Sequence, residues 1–383
     1  MADIFDNYSP DSATKAKISI VAYYFGIYFR IINPVLAKSK VRFSNSRIVY
    51  IDLFAGKGIF DDKTESIPIK LLRLVKKMGI DDIIFYFNDN RHIDSLKKNI
   101  SQDPEISSLV SKCYFTNHDS KFYDIKKIIG KNDIVLSFID PSGYLRVDPE
   151  TIGLLTKNYF SDCLFFLNVQ NFFMRIDVDN ERTNMIKLFG SEEKLEDVIT
   201  IIRGDSSRKE KEIQLIKKIL SSVSAGSKHK LYFLPFFLRC STTETSIYGV
   251  IFLTSKYRDG LIKLKNSIKI EDFLKNEYGR FIGSIDPLKD QLSFDDQLFE
   301  KNYDEIIKLI PNLEYINRKE LISKVDEVYT TNFGHISAYN DKDMNVILNS
   351  FFEKNQISIE GKVRYNAESC INFGDKTKFR REK

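Results

Sequence analysis

The sequence predicts an α/β fold: an open, mainly parallel sheet closed by an antiparallel hairpin, followed by a smaller helical unit. Three observations predict it. β-rich runs alternate with helical runs between residues 47 and 167. Nearly every predicted strand ends in an acid or an amide. Two apolar, aromatic runs then flank the polar segment CSTTETS. Alternation of strand and helix implies a parallel sheet with right-handed crossovers. Ligands of open α/β sheets bind at the carboxyl ends of the strands, so the acids and amides converge on one crevice.

The elements follow in order. Residues 12–36 read as a helix, capped by Ser12 or Thr14 and bent or broken at Asn33-Pro34. Predicted strands at 47–53, 82–87, 112–116, 134–139 and 163–167 alternate with predicted helices at 68–78, 93–100, 122–129 and 149–157. Charged helices at 179–190 and 208–223 read as an insertion or cover. The runs 231–239 and 247–254 read as the hairpin, and 258–268 as a helix. This gives a first domain over 1–270 with an insertion at about 179–224, a linker over 271–298, and a last domain over 299–383. In that domain, helices at 303–310, 318–333 and 341–355 precede strands 357–359 and 362–365, paired about a turn at Glu360-Gly361. Three helices and a small wing predict a winged-helix-like unit, either a nucleic-acid-contacting module or a helical interaction domain.

The 383 residues carry a net charge of +5 and 43% hydrophobic residues, enough for a substantial core. The mild basic balance favours a polyanionic partner. The tail KTKFRREK is either a frayed, solvated terminus or an arm that touches phosphates. Cys113, Cys163, Cys240 and Cys370 form no CxxC pair and read as reduced thiols of a cytoplasmic protein. No His/Cys spacing suggests a metal site. The apolar run 18–29 is about half the length of a membrane span and reads as a buried helix.

The loop Asp52-Leu53-Phe54-Ala55-Gly56-Lys57-Gly58 follows the first strand. It is neither a full G-x-G-x-x-G fingerprint nor a P-loop. Small residues there let the backbone approach a ligand that a Cβ would exclude. D-x-F-x-G-x-G after a hydrophobic strand points to S-adenosylmethionine (SAM), with Asp52 complementary to the methionine amino group and Phe54, Ala55, Gly56 and Gly58 beside the cofactor. Asp89 after the second strand can accept hydrogen bonds from both ribose hydroxyls, or cap the next helix; Asn88 and Asn90 are rivals for the position. Asp119 after the third strand can receive the adenine amino group or cap a helix. Asp140-Pro141-Ser142-Gly143-Tyr144 after the fourth resembles the D-P-P-[YFW] signature of amino-methyltransferases, with Ser142 for the second proline and the aromatic one position late. Asp140, Pro141 and Tyr144 are the candidate catalytic residues. Asn168, Asn171 and Arg175 are candidate substrate-cleft residues, Arg175 for a phosphate.

Together these residues resemble the three-Cys-motif partner protein family. The likeness comprises Thr14-x-x-Lys17 or the neighbouring Lys15, YIDLFAGKGIF at 50–60, Ser66-Ile67-Pro68, FIDPSGY at 138–144, FLNVQNFFMR at 166–175 and the stretch 247–268. It covers roughly the first 270 residues. Members usually have proline where Lys57 stands and Gly-Ser-Pro in place of Ser66-Ile67-Pro68. The resemblance implies a SAM-methyltransferase fold and a separate partner protein carrying the three cysteines. Three functions follow as expectations: a SAM-dependent methyltransferase acting on DNA or RNA, a methyltransferase-like scaffold for a partner protein, and a metal-dependent nuclease holding Mg²⁺ on Asp52, Asp89, Asp119 and Asp140.

Overall fold

The computed structural model describes residues 10, 12–38, 46–118, 125–141, 148–239, 247–267, 273–275, 281–284, 305–337, 339–361, 363–365, 371–373 and 377–382. Five parallel strands form the heart of the sheet: β1 (Ile48–Asp52), β2 (Ile83–Asn88), β3 (Cys113–Thr116), β4 (Ile134–Ile139) and β5 (Asp162–Leu167). β6 (Tyr232–Arg239) and β7 (Ile247–Ser255) are the predicted hairpin, and β7 runs antiparallel to β5. The sheet order is β3-β2-β1-β4-β5-β7-β6, the Rossmann-like order of class I methyltransferases, extended beyond β6 by two short strands. These are β8 (Phe273–Lys275) and β9 (Phe281–Ser284); the expected linker therefore contributes an edge to the sheet.

Strand pleating explains why the central strands read as unbroken apolar runs. Ile48 and Tyr50 pack into the core on one face, Val49 and Ile51 into the core on the other. The first face is covered by α1 (Ser12–Lys38), α2 (Ile67–Met78), α3 (Ile93–Gln102) and, under β6–β7, α10 (Arg258–Ser267). The second is covered by α4 (Ile125–Ile128), α5 (Pro149–Leu155), α6 (Val169–Arg175), α7 (Asp179–Phe189), α8 (Glu192–Arg203) and α9 (Arg208–Ala225). α6 and α8 add to the two helices expected after residue 168.

α1 is longer than expected. Pro34 lies within it, and the helix continues to Lys38. Its stretch Lys17–Leu36 has the length and hydropathy of a membrane span. Tyr24, Phe25, Tyr28 and Phe29 are nevertheless buried, with the Phe25 ring edge-on to Tyr50 of β1. The Tyr24 hydroxyl donates to Asp162 Oδ2 at 2.7 Å and the Tyr28 hydroxyl to the Phe160 carbonyl at 2.6 Å. Those bonds make α1 a docked layer of the sheet. Burial pushes the Asp162 carboxyl up to about 6, against the pull of the Tyr24 hydroxyl.

The C-terminal unit has its own core. A helical turn at 305–308 is followed by β10 (Ile316–Asn317), α11 (Arg318–Phe333), α12 (Asp341–Glu353) and β11 (Ile357–Glu360). β12 (Val363–Tyr365) pairs with β13 (Ile371–Phe373), and β14 (Lys378–Arg381) lies between β10 and β11. Two expectations are corrected. β11 and β12 flank the Glu360-Gly361 turn without pairing, because β11 takes β14 as its partner. The basic tail is an interior strand whose Phe379 is fully buried, rather than a frayed end.

This unit is fastened to the sheet domain by a buried cluster. Lys265 of α10 reaches both carboxylate oxygens of Asp326 of α11 at 2.9 and 3.1 Å. The Ser337 hydroxyl and N–H donate to the same carboxylate at 2.7 and 3.1 Å. Arg258 stands 3.5 Å away, and the Ile336 N–H donates to Phe233 of β6 at 3.0 Å. Lys265 and Asp326 are both fully buried; burial lowers the lysine's pKa and Asp326 opposes it. Removing one partner leaves an unpaired buried charge. Asp326→Ala is expected to destabilise the protein by about 3–5 kcal/mol in urea melts, while the double variant Lys265→Met/Asp326→Leu recovers most of that loss.

Candidate functional site

The site is built where β1, β2, β3 and β4 end. Gly56 and Gly58 have φ of +66° and +91°, a region open to glycine. A Cβ on Gly58 would stand 2.8 Å from the Leu96 side chain of α3. A Cβ on Gly56 would meet nothing within 4 Å among the described residues, so that side of the loop is open. Ala55 is buried and Phe54 half-buried. The Gly58 carbonyl accepts from the Ser66 N–H at 2.7 Å, and Asn99 of α3 donates to the Lys57 carbonyl at 2.8 Å, which closes the loop. Lys57 itself pairs with Asp61 at 2.7 Å. Lysine where the resembling family has proline therefore still permits a tight glycine turn.

Asp52 ends β1 with only 2% of its surface exposed. It accepts the Phe54 N–H at 3.0 Å. Burial pushes its carboxyl up to about 8; the Phe54 N–H pulls the other way, and the charges of Asp140 and Asp89 add to the push. That mutual repulsion reports that the carboxylates after β1, β2 and β4 share one crevice.

Asp89 fills the capping role foreseen for it and adds a tie to the glycine loop. Its Oδ1 accepts from the Arg91 and His92 N–H groups at 2.9 and 2.7 Å, capping the entry to α3. Its Oδ2 accepts from the Gly56 N–H at 3.1 Å, tying the cap to the glycine loop. A carboxylate has about four lone-pair directions, so three backbone bonds leave room for one further hydroxyl rather than two.

Asn88 is the residue that sequence reasoning ranked only as a rival. Its amide donates to the Leu53 carbonyl at 3.1 Å and the His118 carbonyl at 3.0 Å. Its oxygen accepts from the Thr116 hydroxyl at 2.8 Å and the His118 N–H at 3.1 Å. One buried side chain thus binds together the chain segments leaving β1, β2 and β3.

Asp140 ends β4, and the buried Pro141 follows. Lys17 of α1 places its ammonium 2.7 Å from Asp140 Oδ2 and 4.2 Å from the centre of the Phe166 ring on β5. Lys15, two residues earlier and so on another side of the helix, lies 3.6 Å from Asp62 beyond the glycine loop. The resemblance singles out Lys17 or its neighbour Lys15 without a role, and the contact with Asp140 emerges only once the fold brings α1 over the strand ends.

Asn168 caps α6, accepting the Asn171 N–H at 3.1 Å. Arg175 is exposed and faces Glu181 at 3.8 Å. The predicted cleft segment is thus a helix whose two amides serve its first turn. Asp119 and Tyr144 lie outside the described residues. Among the described residues, no group of three or more His, Cys, Asp or Glu side chains is disposed to share a metal ion. Cys163 is buried and Cys113 half-buried, and burial pushes both thiols up to about 12.

No family model and no curated protein matches the chain. Among solved structures, it is similar to a predicted O-methyltransferase from Agrobacterium tumefaciens (6% identity, 54% of this chain and 72% of that one, TM-score 0.29). It is also similar to the methyltransferase domain of bacterial CtHen1 (12% identity, 60% and 98%, TM-score 0.29). A third is the modification subunit of a putative type I restriction enzyme from Vibrio vulnificus YJ016 (9% identity, 67% and 45%, TM-score 0.29). At this level of likeness the fold rests on the chain's own strand order and register.

Asn88→Ala leaves four backbone and hydroxyl groups without their partner. It is expected to cost about 1–3 kcal/mol in urea melts and to speed hydrogen exchange at His118.

Proposed function

We propose that the protein is a SAM-dependent methyltransferase acting on nucleic acid, working beside a three-Cys-motif partner protein. The observation that carries this reading is the convergence of Asp52, Asp89 and Asp140 around a glycine loop at the carboxyl edge of the sheet. The fit to SAM is supported by the open side of Gly56 and by a buried acid lacking a cationic partner of its own among the described residues.

When bound, SAM supplies an electrophilic methyl group on a sulfonium. Asp52 would receive the amino group of its methionine part, lined by the backbone of Phe54, Ala55, Gly56 and Gly58. Asp89 would take one ribose hydroxyl, with Asp119 assigned to the adenine amine. Asp140, Pro141 and Tyr144 are assigned to the acceptor, and Asn168, Asn171 and Arg175 to the substrate. The C-terminal order of helical turn, strand, two helices and four short strands supports a winged-helix assignment. Its α12 carries Asp341, Asp343 and Glu353 against Lys342 alone, an unfavourable charge for a groove-entering helix. β14, with Lys378, Arg380 and Arg381, is the better phosphate contact.

The tests are direct. Asp89→Ala is expected to abolish SAM binding in calorimetry, whereas Asp140→Ala spares binding and removes transfer. Unchanged affinity in Asp89→Ala would count against the cofactor assignment. The pH dependence is a separate check. Asp52 is protonated in the free protein at neutral pH, and a cationic ligand favours its ionised form, so binding expels a proton. Affinity should therefore tighten as pH rises from about 6 to about 7.5, by up to about tenfold per unit, and this slope should vanish in Asp52→Asn.

A further inference from the structure

Lys17 stands where an amine acceptor would be held. Its Nζ lies 2.7 Å from Asp140 Oδ2, and its side chain is only 12% exposed. The Phe166 ring forms the floor beneath it at 4.2 Å. That floor is built in: a Cβ on Gly249 of β7 would lie 2.2 Å from the ring, so the strand keeps a glycine where the ring crosses it. Two bonds that pin α1, from Tyr24 to Asp162 and from Tyr28 to Phe160, hold the lysine in this position.

An Asp-Pro acid that binds an exocyclic amine needs its carboxylate oxygen free to accept from that amine. Here Lys17 holds one of the two Asp140 oxygens, so an incoming amine would share the acid with a cation whose donors face its own. A hydroxyl acceptor has the opposite requirement. Its oxygen needs a base for its proton, and an amine is the stronger base (ordinary pKa about 10.4 against about 3.9 for an aspartate). The geometry points to Lys17 as the general base for a hydroxyl acceptor, oriented by Asp140. This inference rests on the methyltransferase reading above. For a nucleic acid, that hydroxyl is the ribose 2′-OH, so the substrate is RNA.

The step balances. Lys17, an ammonium in its pair with Asp140, first releases a proton to solvent; the hydroxyl proton then passes to the resulting amine, and the ammonium so formed is held again by the Asp140 carboxylate. The O–C bond forms as the donor's S–C bond breaks, and the sulfonium charge ends in a neutral thioether. Among the described residues, the acid facing Lys17 is Asp140 after β4, whose charge also reaches Asp52 after β1, and the Phe166 ring of β5 lies beneath the ammonium. On α1, Lys15 faces Asp62 and Tyr24 is held by Asp162.

The experiment compares the full-length protein with Lys17→Arg. Arginine keeps the positive charge and can keep the ion pair, but it does not release its proton. Each is incubated with methyl-labelled SAM and a random-sequence RNA oligonucleotide or its DNA counterpart, and digests are analysed by mass spectrometry. Calorimetry and thermal melts run alongside. The expected result is 2′-O-methyl nucleosides from RNA alone, a rate that rises with pH through one ionisation, and a loss of 10²-fold or more in Lys17→Arg with SAM affinity and melting unchanged. Competitive acetic anhydride labelling of Lys17, read at the peptide level, should titrate with the same midpoint as the rate. Label on a base amine, activity retained in Lys17→Arg, or label in neither nucleic acid although SAM binds would overturn the inference. Failure to bind SAM would instead sink the methyltransferase reading beneath it.

Discussion

The crevice depends on one buried amide. The ends of β1, β2 and β3 carry the residues assigned to the cofactor, and each end is a loop with few bonds of its own. Asn88 takes two acceptors and two donors from those loops, satisfying its full amide with none left over. Asp89, its neighbour, then extends the tie to Gly56 and the first turn of α3. A fully satisfied buried network rigidifies, whereas a partly satisfied one is costly. Thr116 and His118, at the end of β3, are held by the same side chain.

A second constraint comes from the opposite side of the crevice. α1 is apolar enough to be mistaken for a membrane span, yet it is held by two tyrosine hydroxyls and by aromatic packing against β1. Its polar start hands Lys17 to the acid after β4 and Lys15 to Asp62 beyond the glycine loop. A chain of contacts follows: Gly249 admits the Phe166 ring, the ring supports the ammonium, and the ammonium occupies Asp140. Each link depends on the previous one, which explains why a glycine in the middle of a β-strand is tolerated there despite its backbone entropy.

The alternation of the first 270 residues was legible because both faces of the parallel strands are buried, so each strand reads as an apolar run ended by a polar residue. The hairpin was legible for the same reason. β8 and β9 were not, since three- and four-residue edge strands carry too little periodicity to stand out from polar chain. β14 was hidden by composition: KFRR reads as a charged tail, and only its partners on both sides reveal that Phe379 faces the core. Asn88 and Lys17 were masked by the opposite problem. An amide beside an acid looks like a turn residue, and a lysine in a helix looks like a solvated one. What distinguishes them is partners 28 to 35 residues away for Asn88 and 123 for Lys17, which spacing along the chain does not encode.

The attachment of the C-terminal unit bears on how a large substrate reaches the crevice. A flexible tether would raise only the local concentration of a binding module. The Lys265–Asp326 pair, sealed by Ser337 and by the Ile336 bond to β6, instead fixes orientation, because a buried ion pair with further donors has one low-energy geometry. The charge distribution then selects the face that meets a polyanion. α12 is net negative and repels phosphates, while β14 and its arginines attract them. On the proposed reading, a nucleic acid drawn to β14 would meet a platform set rigidly against the sheet domain. Its approach is constrained by an interface that contributes no contact to the chemistry itself.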